Sequence, residues 1–200
     1  MTMAAHHHHH RTGRTPARRA AAALFAIGLL LCTAWLLQAS GRLDQLRHRP
    51  ADPTAGPATI TIPRIGVRAP IVAVGLRADG AMQVPEPDQV GWYRHGPRPG
   101  ADGPAVLVGH LDSRTGPAVF YRLRELRPGD QILIGQHGGS TLRFLVGRLE
   151  RHPKTALPTG RIWTNASRPL LRLITCGGSF DRTTGHYRDN LIVYASPTGN

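Results

Sequence analysis

The chain is poor in cysteine, in lysine, in acids and in stretches free of helix breakers, and each shortage removes a class of protein. Two cysteines in 200 residues allow at most one bridge, so no disulfide scaffold holds the chain together. Glycine (23) and proline (17) together make about a fifth of the residues. That excludes a bundle of long helices and favours short strands joined by turns. Lys154 is the only lysine among the 25 bases, and the arginines are spread along the chain. Only 12 acids oppose those bases, leaving a formal charge of +13. A balance of that sign points first to a nucleic-acid partner. The placement of the charge argues otherwise. Residues 1–19 hold Arg11, Arg14, Arg18 and Arg19 and no acid, so residues 20–200 keep 21 bases against 12 acids, or +9. No basic strip interleaved with aromatics follows, and no nucleic-acid partner is expected.

What the chain does have is one long apolar run. Ala20 to Gly41 is 22 residues without a charge, with a continuous apolar stretch from Ala20 to Leu37. About 20 such residues cross a ~30 Å hydrocarbon core. The four arginines before the run keep the N-terminus cytoplasmic and send the remainder outside. A cleaved signal peptide is the other reading, with Ala39-Ser40-Gly41 as the cleavage site. The apolar core exceeds the usual 7–15 residues of such a signal, so a retained anchor is expected. Both readings export the domain. The run His6 to His10 is a tag or a native low-complexity start, and takes no part in fold or metal binding. The expected organisation is a basic cytoplasmic start (1–19), a transmembrane anchor (20–41), a polar, proline-containing tether (42–57) and one globular domain (58–200). That domain contains enough residues for a single core.

From Ala58 onward, short β-type runs alternate with Pro and Gly breaks. The pattern predicts strands at 58–63, 69–75, 104–109, 130–135, 141–149, 169–175 and 190–195. The near-continuous apolar runs at 130–135 and 190–195 predict burial on both faces, whereas Thr141 to Val146 alternates like a half-exposed strand. A single helix is predicted at 117–125, with Pro117 in its first turn and Val119, Phe120 and Leu123 as its apolar stripe. Seven or eight short strands with one small helix imply a closed barrel or a sandwich.

Three chemical groups fall where predicted strands meet loops: His110 with Asp112 after strand 104–109, Thr175-Cys176 after strand 169–175, and Arg188 before the last strand. With Cys32 assigned to the anchor, Cys176 is the one thiol in an exported domain. Such a thiol is either a buried, inert small hydrophobe or a reactive group. A cysteine nucleophile needs an acid for the leaving group and a charge stabiliser for the oxyanion. Cys176, His110 and Arg188 supply one group of each kind, though spacing alone does not bring them together.

Residues 104–126 (PAVLVGHLDSRTGPAVFYRLREL) and 171–195 (LRLITCGGSFDRTTGHYRDNLIVYA) resemble the two signature blocks of the sortases, and most closely the class F sortases of actinobacteria. Residues 62–76 and 82–100 fit the same family, so the resemblance covers 58–196. It implies a mainly β fold, a closed barrel of about eight strands with one or two short helices, behind the N-terminal transmembrane helix. It also implies a membrane-tethered cysteine transpeptidase facing the cell wall, which recognises an LPxTG-like signal on exported proteins and cuts between Thr and Gly. The acyl group then passes to an amine, usually on a peptidoglycan precursor. Carried onto this chain, Cys176 is the nucleophile, His110 the general acid and then base, and Arg188 the oxyanion stabiliser or substrate positioner. Thr175 assists at the oxyanion or shapes the pocket, and His186 and Tyr187 line the substrate groove. Asp112 either orients His110 or, as favoured here, bonds the following backbone amides in a turn.

No cofactor is implied. Trp92 and Tyr93 read as core or rim, and His95, His137 and His152 show no metal-type spacing. Segment 150–168 corresponds to the loop that contacts the sorting signal. Its Leu157-Pro158-Thr159-Gly160 lacks the residue between Pro and Thr and reads as a turn. Two competing functions remain: a thiol peptidase that uses water as acceptor, and a non-catalytic basic module that holds anionic wall polymers.

Overall fold

The structure is a computed structural model that describes residues 56–198, all within the unit Pro50–Asn200. The expected anchor at 20–41 and nearly all of the expected tether lie outside the described residues. Among the described residues no helix is long and apolar enough to cross a membrane.

Every predicted strand is present. They are β1 (Pro57–Ile62), β2 (Val67–Val74), β4 (Gly103–Val108), β7 (Gln131–Gln136), β8 (Thr141–Pro153), β9 (Pro169–Asp181) and β10 (His186–Pro197). An unpredicted strand, β3 (Val90–Tyr93), completes the set, and a two-stranded ribbon of β5 (Asp112–Ser113) and β6 (Gly116–Pro117) stands apart. The eight long strands close into a barrel in the order β1-β2-β3-β4-β9-β10-β8-β7. The pairs β2–β3 and β4–β9 are parallel and the other neighbours antiparallel. Of the two expected architectures, barrel and sandwich, the barrel is the one formed.

Local chemistry sets these elements. In β1, Ile60 and Ile62 alternate into the barrel, and Pro63, which has no N–H to extend the ladder, ends the strand in a short 3-10 turn (Pro63–Ile65). The barrel interior is filled by fully buried aliphatics and two phenylalanines, among them Ile60, Leu107, Phe120, Ile132, Phe144, Leu171 and Val193. A second apolar cluster lies outside the barrel wall. There Val106, Ile192 and Tyr194 of β4 and β10 pack with Ile162, Leu157 and Met82 from overlying segments. This explains why residues 192–195 are buried on both faces, as expected from their continuous apolar run. Residues 131–136 do not behave that way. They alternate, with Ile132, Ile134 and Gln136 buried and Leu133 and Gly135 only partly so.

The predicted helix at 117–125 does not form. Pro117 closes the β5–β6 ribbon, and only Leu123–Glu125 makes a 3-10 turn. The backbone donors a first helical turn would leave free are claimed by neighbours: Ala118 N–H bonds the Leu111 carbonyl, Val119 the Pro87 carbonyl and Phe120 the His110 carbonyl. These bonds tie 118–120 to its neighbours, the chain turns tightly at Leu123–Glu125, and Phe120 and Leu123 still reach the core. Segment 150–168, expected as a loop, begins as the end of β8. It continues as a 3-10 turn (Lys154–Ala156) and a single helical turn α1 (Thr159–Ile162), with Leu157-Pro158 as the link between them.

Candidate active site

Cys176 lies within β9, not at a strand end, because β9 and β10 continue past it into a hairpin around Arg182–Gly185. Along β9, Leu171 and Leu173 point into the barrel and Ile174 packs in the outer cluster, so Cys176 also faces outward. It is a free, half-buried thiol. In β10 its register partner is Asn190, which the sequence reasoning did not single out.

His110 reaches this site through strand pairing. The parallel β4–β9 ladder ends at Val108↔Ile174, and the Gly109 N–H bonds the Ile174 carbonyl at 3.1 Å. The next residue is His110, delivered beside the Cys176 segment. Gly109 is needed for close packing, since a Cβ there would lie 2.6 Å from the Phe120 ring.

Cys176 and His110 line one cleft of about 670 Å³, together with Thr175, Asp112, His186, Tyr187 and Asn190. Its remaining wall is largely apolar, with Val84, Leu157, Ile162, Trp163 and Phe180, and also carries Arg77 and Lys154. Val84, Trp163 and Phe180 are 52%, 41% and 51% exposed, an uncovered apolar surface beside a thiol. The Trp163 ring is held edge-on to Tyr93 at 5.3 Å, and that of Phe180 to Tyr187 at 5.2 Å. Thr175 is only 3% exposed, and its Oγ1 has no hydrogen-bond partner.

Asp112 does neither of the two things weighed for it. Its carboxylate accepts a hydrogen bond from the Tyr187 hydroxyl, joining the histidine segment to β10 across 75 residues of sequence. The local turn falls to Ser113, whose Oγ accepts from the Thr115 N–H at 3.2 Å. The hydrogen bond to Asp112, aided by burial and the carboxylate's charge, pushes the Tyr187 phenol up to about 12.

Arg188 is not among the residues that line this cleft. Its side chain is 66% exposed and pairs with Asp181 at 3.3 Å. Simple alternation would set it on the face of Asn190 and Cys176. The β9–β10 register shifts between Tyr187 and Asp189, opposite Gly178, and this irregularity breaks the alternation. Gly178 has φ +74°, and a Cβ there would meet Asp189 Oδ2 at 2.2 Å, so the irregularity requires glycine.

A second cavity, of about 680 Å³, reaches Cys176 from another side. Leu111, Tyr121, Arg124, Leu149, Arg151, Gly177 and Gly178 form most of its wall. Asp112, Cys176 and Tyr187 belong to both cavities. Neither Arg124 nor Arg151 stands out in the sequence, where arginine is common. Only the register Leu191↔Arg151 and the fold of 118–125 carry them here. Of the remaining histidines, His152 bonds Glu150 at 2.9 Å. Burial opposes ionisation of Glu150, but His152, Arg148 and Arg161 hold its carboxyl down at about 2. Among the described residues no three of His, Cys, Asp and Glu gather as metal ligands.

A half-buried thiol and an imidazole sharing a cleft beside an extended apolar wall can carry out nucleophilic acyl transfer on a peptide. This defines the class as a thiol enzyme built on a β-barrel. Residues 60–198 match the sortase domain, and the chain belongs to the sortase family. It is accordingly a cysteine transpeptidase of the sortase kind. Solved structures agree in fold. Sortase C-1 from Actinomyces oris is 25% identical, with a TM-score of 0.57 and 79% of each chain covered. A lid mutant of sortase A from Corynebacterium diphtheriae is 22% identical, with a TM-score of 0.58, covering 80% of this chain and 78% of that one. Sortase C1 from Streptococcus agalactiae, in complex with MTSET, is 22% identical with a TM-score of 0.56, covering 72% and 67%. A comparison with curated protein sequences finds no match.

Proposed function

We propose that this sortase is of the class F type and anchors exported proteins to the cell wall. In this reading residues 20–41 hold it in the cell membrane as a single span, and the barrel stands outside, facing the wall. Its donor substrate is an LPxTG-like signal, cut between Thr and Gly. The observation that carries the reading is the shared cleft: Cys176 and His110 line it together, beside an apolar wall suited to an extended peptide.

The Cys176 thiolate attacks the threonine carbonyl, and a C–S bond forms as the C–N bond to glycine breaks. His110, protonated, gives its proton to the departing glycine amine. The resulting thioester is attacked by an amine of the wall precursor, whose proton returns through His110 to the freed sulfur. Thr175, with a buried and unpartnered hydroxyl, shapes the oxyanion side, and Tyr187 and His186 line the peptide path. Arg188 is the charge stabiliser. It neighbours Tyr187 in the chain; the register shift opposite Gly178 sets its face and an exposed ion pair with Asp181 holds its side chain, a weak contact for which the oxyanion of the tetrahedral intermediate competes.

The reading is tested by incubating wild type and Cys176→Ala with LPxTG and LAxTG peptides and an amine. Transfer product from wild type alone is expected. Equal product from the variant removes the enzyme assignment for Cys176. Amine-independent hydrolysis as the main flux replaces the transferase with a thiol peptidase.

A further inference from the structure

The cleft that suits the donor peptide leaves the second cavity unused, and a transpeptidase must admit two substrates to one sulfur. The two cavities share three residues: Asp112, Cys176 and Tyr187. The hydrogen bond between the Tyr187 hydroxyl and the Asp112 carboxylate closes the partition between them, and Cys176 stands at that partition. The two sides differ in chemistry. The donor side is walled mainly by Val84, Leu157, Ile162, Trp163 and Phe180, with Arg77 and Lys154 also in its lining, whereas the second cavity carries Arg124 and Arg151 beside Gly177 and Gly178.

We propose that the second cavity is the acceptor site, and that Arg124 and Arg151 select an amine that carries a carboxylate. The inference rests on the sortase reading of Cys176. Next to the thiol this cavity has Gly177 and Gly178, which present no side chain to block an incoming amine. Arg124 is stacked over the Tyr121 ring at 5.0 Å, and no carboxylate of the described residues pairs with it. Arg151 is 65% exposed and meets Asp189 only at 3.6 Å, so its fork remains available to a better-placed carboxylate. The charge count also favours a single carboxylate. Asp112 in the same wall and Asp189 beside Arg151 match the two arginines charge for charge. A singly charged carboxylate therefore leaves less uncompensated negative charge than a dianionic phosphate.

The step balances without a further reactant. The neutral amine nitrogen forms a bond to the thioester carbonyl, the C–S bond breaks, and the amine proton passes by way of His110 to the Cys176 sulfur. The partition lets the acyl chain stay on its own side while the amine arrives from the other.

The test uses triglycine and triglycinamide as acceptors at equal concentrations of free amine, with one LPxTG-type donor peptide and the enzyme from Ala58 onward compared with the full chain. Wild type is expected to show an acceptor KM about tenfold lower for triglycine than for its amide, the size of one charge-assisted hydrogen-bond pair. In the Arg124→Gln/Arg151→Gln variant that ratio should fall to near one, and in Arg124→Lys/Arg151→Lys it should be partly retained. Aminoethyl phosphate beside ethanolamine separates a general anion preference from a carboxylate one, and a stronger gain from phosphate overturns the carboxylate assignment. No preference in wild type, or an undiminished preference in the glutamine variant, overturns the site. The acyl-enzyme on Cys176 is followed by mass in the same reactions. Its absence overturns the sortase reading itself, whereas its presence with no acceptor preference overturns only this inference.

Discussion

At the residue scale, function depends on which side chains a β-scaffold turns toward one another. The Tyr187–Asp112 hydrogen bond is the clearest case, because it links the segment after β4 to the start of β10 directly beside the thiol. The phenol must keep its proton to donate. Its ordinary value near 10 is raised to about 12 in the fold, so the bond contributes fully below about pH 10 and is lost as pH rises through about 12. Tyr187 is therefore expected to contribute a component near pH 12 in an ultraviolet pH titration, and Tyr187→Phe should remove that component. The same variant frees the Asp112 carboxylate and loosens the partition at Cys176. Its donor kcat/KM should drop about tenfold, measured with an LPxTG-type peptide. An unchanged kcat/KM would show that the pair is structural only. Cys176, His110 and Tyr187 were legible as candidates from residue type and neighbours. The partner of Asp112 was not, since a hydrogen bond spanning 75 residues leaves no mark on local sequence.

At the element scale, the outer face of β4, β9 and β10 decides the substrate wall. Segment 150–168 was expected as a loop from the family resemblance, yet its apolar residues Leu157 and Ile162 are placed at intervals that meet the barrel. Ile162 is 3% exposed and belongs to the outer cluster, whereas the adjacent Trp163 is 41% exposed and faces the cleft. Trp163→Ala should thus separate binding from folding. Stability is expected to fall by only about 1 kcal/mol, the value of its edge-on contact with Tyr93. The donor KM should rise about tenfold. Thermal melting and steady-state kinetics measure the two, and a large loss of stability with an unchanged KM would assign Trp163 to the core instead. The same scale accounts for the failed helix at 117–125. Its stripe was real, since Phe120 and Leu123 are buried, but the segment is tied to Leu111, His110 and Pro87 by contacts that periodicity does not record. It also accounts for Arg188, whose face is set by the register shift opposite Gly178.

At the scale of the whole molecule, charge and hydropathy bear on where the enzyme works. The four arginines of residues 1–19 followed by 22 uncharged residues make the membrane proposal, and the remaining +9 suits a domain close to anionic wall polymers. The full chain is expected to sediment with membranes and to resist extraction by salt, while a chain beginning at Arg42 should stay in the soluble fraction. Recovery of the full chain as a soluble protein shortened at Ala39-Ser40-Gly41 would establish the cleaved signal instead.

The sequence by itself determined seven of the eight barrel strands, the exported placement as an expectation, and the cysteine and histidine blocks that mark a sortase. These are local properties: alternation, breakers, and residue types at strand ends. The tertiary structure alone decided that Cys176 and His110 share a cleft, that Asp112 belongs to Tyr187, that Arg188 rests on Asp181, and that a second cavity opens on the sulfur. Each depends on strand register and on long-range hydrogen bonds. A shift of one residue changes which face a side chain presents, and no short stretch of sequence encodes it.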